Sequence, residues 1–162
     1  MTGTLKLTLG PQTSNGTITY QPGTTPGTNT YSGTTTVNGG TLAITGYRVA
    51  YVTAANNGLY GIYAFASVNG LIENSYASGH PDSGLYVGQC RPCNAVVRNN
   101  ISEKNAIGYY GTNSSGGVFV IDSVFRNNRL GIAPNSQKAE QLSPQIETVV
   151  AGNLVVDNAD AR

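Results

Sequence analysis

Three tyrosines occupy the same place in a recurring block: Tyr63 in Gly61-Ile62-Tyr63-Ala64, Tyr86 in Gly84-Leu85-Tyr86-Val87 and Tyr110 in Gly108-Tyr109-Tyr110-Gly111. If these blocks are strands, alternation turns the residue after the glycine inward and the tyrosine outward. Stacked tyrosines then form an exposed aromatic ladder, a flat apolar surface with hydroxyl handles. Such a surface suits sugar rings, which present apolar C–H faces and hydroxyl rims. Mutual ring packing that only stabilises a sheet is the competing use, and the residues leave both open. A one-residue slip would bury the tyrosines and expose Ile62 and Leu85, which their aliphatic character opposes.

Other chemistry-bearing residues are sparse. His80, Asp82 and Ser83 have the types of a nucleophilic triad, but sequence neighbours seldom converge in space, and a structural turn is expected. Glycosidic cleavage by paired carboxylates needs two acids on one face. Glu73 and Glu103 are each expected to lie beneath an arginine, so no catalytic residue is assigned. Cys90 and Cys93 are the sole cysteines. Zinc needs four ligands, which the single histidine, His80, cannot complete. A redox pair of the thioredoxin type would sit at a helix N-terminus. The expectation is a local Cys90–Cys93 disulfide clipping a corner loop, with two inert thiols as the alternative. A disulfide implies an oxidising compartment, hence a secreted or cell-surface protein. Asp82, Asp157 and Asp160 lie in no carboxylate-dense loop, so neither a metal nor another cofactor is expected.

What must position these residues is a solenoid. The block glycines, Gly61, Gly84, Gly108 and Gly131, recur at about 23 residues. A second series follows: Leu71-Ile72-Glu73-Asn74, Val96-Val97-Arg98-Asn99, Phe119-Val120-Ile121-Asp122 and Val149-Val150-Ala151-Gly152. A third comprises Asp82, Asn105, Asn128 and Asn158. Two short strands and polar corners per coil at constant period indicate an all-β single-stranded parallel β-helix, and no stretch shows helical periodicity. Residues one period apart become neighbours about 4.8 Å apart. Ile62, Leu85, Tyr109 and Ile132 should form one inward rank, and Ile72, Val97 and Val120 another. Glu73 should pair with Arg98 and Glu103 with Arg126. Asn74, Asn99 and Asp122 form one polar corner ladder, and Asp82, Asn105 and Asn128 a second. Residues 134–145 form an insertion in the last coil, where solenoids tolerate decoration.

The chain has 162 residues, a net charge of +1 and 10% charged residues. It therefore lacks the clustered basic face of a nucleic-acid binder. Residues 1–47 carry one charged side chain, Lys6, and are rich in Thr, Gly, Pro and Asn, with Thr suited to strands. No apolar run approaches the roughly 18 residues of a membrane span. The expected organisation is one β-helix domain over 1–162, with Thr/Gly-rich coils at 1–46 and regular repeats at 47–162. The change in charge content also allows a fusion joined near 46–47. Uncapped coil ends would offer end-to-end self-association.

Residues 27–42, Gly-Thr-Asn-Thr-Tyr-Ser-Gly-Thr-Thr-Thr-Val-Asn-Gly-Gly-Thr-Leu, resemble the repeat of autotransporter passenger domains. The coils from Gly58 onward resemble right-handed parallel β-helix repeat proteins of the pectate-lyase-like superfamily. The run from Ser78 to Cys93, with Gly79-His80-Pro81-Asp82 and Cys90-Arg91-Pro92-Cys93, is similar to a bacterial branch without an assigned activity. The resemblance implies right-handed coiling. The acidic clusters, G-H-G and R-I-K signatures of the superfamily's enzymes are missing from the sequence. The expectation is a non-catalytic extracellular structural or surface module that binds polysaccharide. The alternatives are a fragment of a polysaccharide lyase or glycoside hydrolase, and an engineered β-solenoid scaffold.

Overall fold

A computed structural model describes residues 46–159. The Thr/Gly-rich coils and the autotransporter-like repeat lie, Gly46 apart, outside the described residues, and the expected junction near 46–47 falls at their border.

Among the described residues fourteen strands follow one another without a helix. The first coil holds β1 (Arg48–Ala50), β2 (Thr53–Ala55) and β3 (Ile62–Phe65). The second holds β4 (Leu71–Glu73), β5 (Tyr76–Ser78) and β6 (Ser83–Cys90). The third holds β7 (Ala95–Arg98), β8 (Ile101–Glu103) and β9 (Ile107–Ser114). The fourth holds β10 (Val118–Ile121), β11 (Val124–Arg126) and β12 (Leu130–Asn135), and β13 (Thr148–Ala151) and β14 (Leu154–Val156) begin a fifth. All neighbours pair in parallel, in three sheets ordered β1-β4-β7-β10-β13, β14-β11-β8-β5-β2 and β12-β9-β6-β3. This is a parallel β-helix of about four turns. Each coil has three strands, not the two read from the sequence. The extra one, β5, β8 or β11, is three residues long and turns Ala77, Ser102 or Phe125 inward. One small, one polar and one aromatic residue at that position leave no periodic signal.

The inward ranks form as expected. Ile72 pairs with Val97 and Val97 with Val120, all three fully buried. Ile62, Leu85, Tyr109 and Ile132 stack in the third sheet. Fully burying such aliphatic side chains contributes about 1.5–3 kcal/mol each. Asn74, Asn99 and Asp122 sit at the corner after the first sheet with φ of 50°, 53° and 47°, a left-handed turn that Asn and Asp tolerate.

Two buried polar ladders run inside the corners. In the first, Ser75 N–H donates to Asn100 Oδ1, Asn100 N–H to Ser123 Oγ, and Ser123 N–H to Asn153 Oδ1, at 3.0–3.1 Å. The sequence reading missed it because its members alternate between serine and asparagine. In the second, Asn57 N–H donates to His80 Nδ1, His80 N–H to Asn105 Oδ1, Asn105 N–H to Asn128 Oδ1 and Asn128 N–H to Asn158 Oδ1. His80, not Asp82, is therefore the rung below Asn105. The rung spacings are 23, 25, 23 and 30 residues. The strand after the second corner returns to a spacing of 24, Ser83 pairing with Ile107. Pro81-Asp82 thus gives that corner one extra residue, which displaces Asp82 from the ladder.

The ladder explains the block glycines. A Cβ on Gly84 would lie 2.6 Å from Asn105 Nδ2 and 2.1 Å from Ser102 Oγ. On Gly108 it would lie 2.4 Å from Gly131 O and 2.9 Å from Asn128 Nδ2. The amide of the next coil fills the space that any larger residue would need.

Candidate functional site

On the outer face of the sheet β12-β9-β6-β3, Tyr63 pairs with Tyr86 and Tyr86 with Tyr110. Inward neighbours on the same strands, Ile62, Leu85 and Tyr109, are buried, so alternation directs the three tyrosines outward. The Tyr63 and Tyr86 rings stack with centroids 4.7 Å apart, and Tyr86 meets Tyr110 edge-on at 5.7 Å. The fourth rung is Ala133, where the ladder stops.

The ladder is not uniformly exposed. Tyr63 is 48% exposed, whereas Tyr86 retains only 4%. Tyr86 lies along its own strand with its hydroxyl over Gly88, where a Cβ would stand 2.2 Å from it. Tyr60 approaches from the preceding corner, 4.4 Å from the Tyr63 ring and 5.3 Å from Tyr86. Tyr86 therefore faces outward but is covered by aromatic neighbours, which corrects its place in an exposed ladder. Phe65, 39% exposed, lies nearly parallel to Tyr63 at 5.7 Å. The open aromatic surface consists of Tyr60, Tyr63 and Phe65, with Tyr86 as its floor. Phe65 was legible from alternation, two residues beyond Tyr63. Tyr60 precedes the strand and was not.

The inserted segment 134–145 borders this surface. Tyr110 Oη accepts from Asn135 Nδ2 at 3.1 Å and Gln137 Nε2 at 2.8 Å. Asn113 Nδ2 donates to Gln137 O and Gln141 O, and Gln89 Nε2 donates to Glu140 Oε2. The Arg91 guanidinium donates to Leu142 O at 2.9 Å and to Pro144 O. The segment thus folds back from β12 across β9 to β6. Burial raises the hydroxyl pKa of Tyr60 and Tyr63, and the acids Asp82 and Glu140 add to it. Burial likewise raises that of Tyr86. The hydroxyls stay protonated at neutral pH and can donate as well as accept.

Cys90 and Cys93 are joined by a disulfide whose sulfurs lie in the core. The Arg91-Pro92 loop between them presents Arg91 to the insertion, so the bond braces the insertion's anchor. His80 is buried, with Nδ1 accepting from Asn57 N–H and Nε2 3.3 Å from Ala54 O. An accepting Nδ1 puts the proton on Nε2, and neither nitrogen is left for Ser83. His80 is a rung of the ladder.

The carboxylates near strand ends are engaged. Glu73 accepts from Arg98 Nε and Nη2 at 2.9 and 2.8 Å and also from Arg48, while Glu103 accepts from Tyr76 Oη at 2.6 Å and Arg126 Nε at 2.5 Å. Both predicted pairs form, with buried carboxylates and partly exposed arginines, and Glu73 gains a second arginine. Arg98 and then Arg48 hold the Glu73 carboxyl below its ordinary range, as Tyr76 and Arg126 do for Glu103. Among the described residues no three His, Cys, Asp or Glu side chains are close enough to hold a metal ion.

A family model described as a right handed beta helix region matches residues 14–160. No curated protein and no solved structure matches this chain.

Proposed function

Because the chain belongs to the right-handed β-helix family, we propose that it serves as a non-catalytic module that binds polysaccharide on the outer face of its β12-β9-β6-β3 sheet. The observation that carries this reading is the open aromatic surface of Tyr60, Tyr63 and Phe65, walled by the 134–145 insertion. Ring faces held parallel on a rigid sheet can stack on pyranose C–H faces without losing side-chain freedom on binding. The Tyr63 hydroxyl and the amides of Gln89 and Gln137 supply hydrogen bonds at the rim. The core disulfide supports an oxidising, extracellular setting.

Binding to a panel of oligosaccharides, with Tyr63→Ala and Phe65→Ala beside the parent protein, tests the reading. Each substitution removes a stack of about 0.5–1.5 kcal/mol, up to about tenfold in affinity. Both residues are substantially exposed, so circular dichroism should remain unchanged. Equal binding by parent and both variants rules the platform out.

A further inference from the structure

At the corner between β8 and β9 we infer a binding site for a phosphate or sulfate ester, held by Lys104 and Arg129. A groove of about 360 Å³ opens there, its lining including His80, Pro81, Lys104, Ala106, Asn127 and Arg129. That volume is within the range of small-ligand pockets. Its shape follows from the corners that build it. Ala106 N–H donates to His80 O and Arg129 N–H to Asn105 O, so three successive coils stack across the groove. The second coil's longer corner puts the exposed Pro81 on one side, and Arg129 stands on the other. Between them Ala106 offers only a methyl, and Lys104 enters from the same coil.

The two cations of the groove are uncommitted. Among the described residues, Arg48, Arg98 and Arg126 pair with glutamates, and Arg91 donates to the carbonyls of Leu142 and Pro144. Lys104, Arg129 and Lys138 remain, and the first two share one groove. Three acids lie close by in the fold. Glu103, beside Lys104, is engaged by Tyr76 and Arg126. Asp82 has its Oδ1 buried, and Asp157 stands one rung beyond Asn127; neither lines the groove. A tetrahedral ester oxyanion presents three oxygens, which Lys104, Arg129 and the Asn127 amide can share, and a guanidinium fork suits such a group. A phosphate monoester carries about −2 above pH 7 and so balances both cations. A carboxylate brings two oxygens and a single charge. The inference stands apart from the aromatic surface, which lies on β3 and the corner before it.

Nuclear magnetic resonance titration of the full chain with glucose 6-phosphate, glucose 6-sulfate, glucuronic acid and glucose at about pH 7.5 tests this. Either ester should shift the amides of Ala106, Asn127 and Arg129 saturably, and the tighter of the two identifies the group. At low ionic strength that ester should bind on the order of two- to tenfold tighter than glucose, the size of one or two exposed charge pairs, and added salt should erode the difference. The double variant Lys104→Gln, Arg129→Gln should abolish the preference. Both side chains are exposed, so circular dichroism should not change. Lys138→Gln removes the same charge elsewhere and should leave binding intact. Three results would overturn the site: no saturable shift with either ester, equal weakening by Lys138→Gln, or glucuronic acid binding as tightly as both esters.

Discussion

Asn128→Ala should be among the most damaging single substitutions in this protein, although it removes only a small polar group. Asn128 is fully buried, and its side chain makes four hydrogen bonds. Oδ1 accepts from Asn105 N at 3.0 Å and Asn105 Nδ2 at 3.1 Å, and Nδ2 donates to Ser102 O at 3.0 Å and Asn158 Oδ1 at 3.1 Å. Asn105 Nδ2 keeps Ser102 Oγ as a partner, and Asn158 Oδ1 keeps the Asn128 N–H, so neither amide side chain is stranded. The Asn105 N–H is left buried with nothing in exchange, whereas the Ser102 carbonyl lies in the parallel ladder between β8 and β11 and loses only its second donor. Stranding that one group costs about 1–3 kcal/mol, a sizeable part of a typical domain's stability. Urea unfolding followed by far-ultraviolet circular dichroism measures the total. Amide hydrogen exchange at Asn105 supplies the specific readout, since its N–H donates directly to the deleted oxygen. A loss below about 0.5 kcal/mol, with Asn105 protection unchanged, would show that the ladder does not hold the coils together.

Gly108→Ala places a methyl 2.4 Å from Gly131 O and should lower the melting temperature by the equivalent of roughly 1–3 kcal/mol or more. Gly58→Ala, which opens onto free space, should be nearly neutral, and equal effects in a thermal melt would refute the close-approach argument. The depressed carboxyls of Glu73 and Glu103 contribute stability that is fully present above their ordinary value near 4.5 and is lost as pH falls through their lower folded values. The acid limb of the stability profile should therefore flatten in Glu103→Gln, and an unchanged limb would count against the Tyr76 and Arg126 bonds. Arg91→Ala frees the insertion from the disulfide loop, so tryptic cleavage after Lys138 should accelerate while the core melting temperature stays put. Unchanged cleavage would mean that the other contacts suffice.

The period was legible in the sequence because every rung demands the same kinds of residue: an inward aliphatic at Ile72, Val97 and Val120, and a glycine wherever the next coil's amide approaches. The Glu73–Arg98 and Glu103–Arg126 pairs followed from that period alone. Local pattern could not reveal β5, β8 and β11, whose single inward side chains share no character. It also misplaced Asp82, since a one-residue change in corner length alters no composition, yet it moves His80 into the asparagine ladder. Alternation gave the direction of Tyr86 but not its burial, because the covering ring of Tyr60 comes from a corner outside the strand. The path of residues 134–145 depends on contacts reaching back two coils to Gln89 and Arg91, over 51 residues of separation. Sequence thus determined what repeats, since stacked neighbours impose like constraints at each turn. Tertiary structure alone decided which side chains close over the aromatic face, since those contacts occur once and leave no period to read.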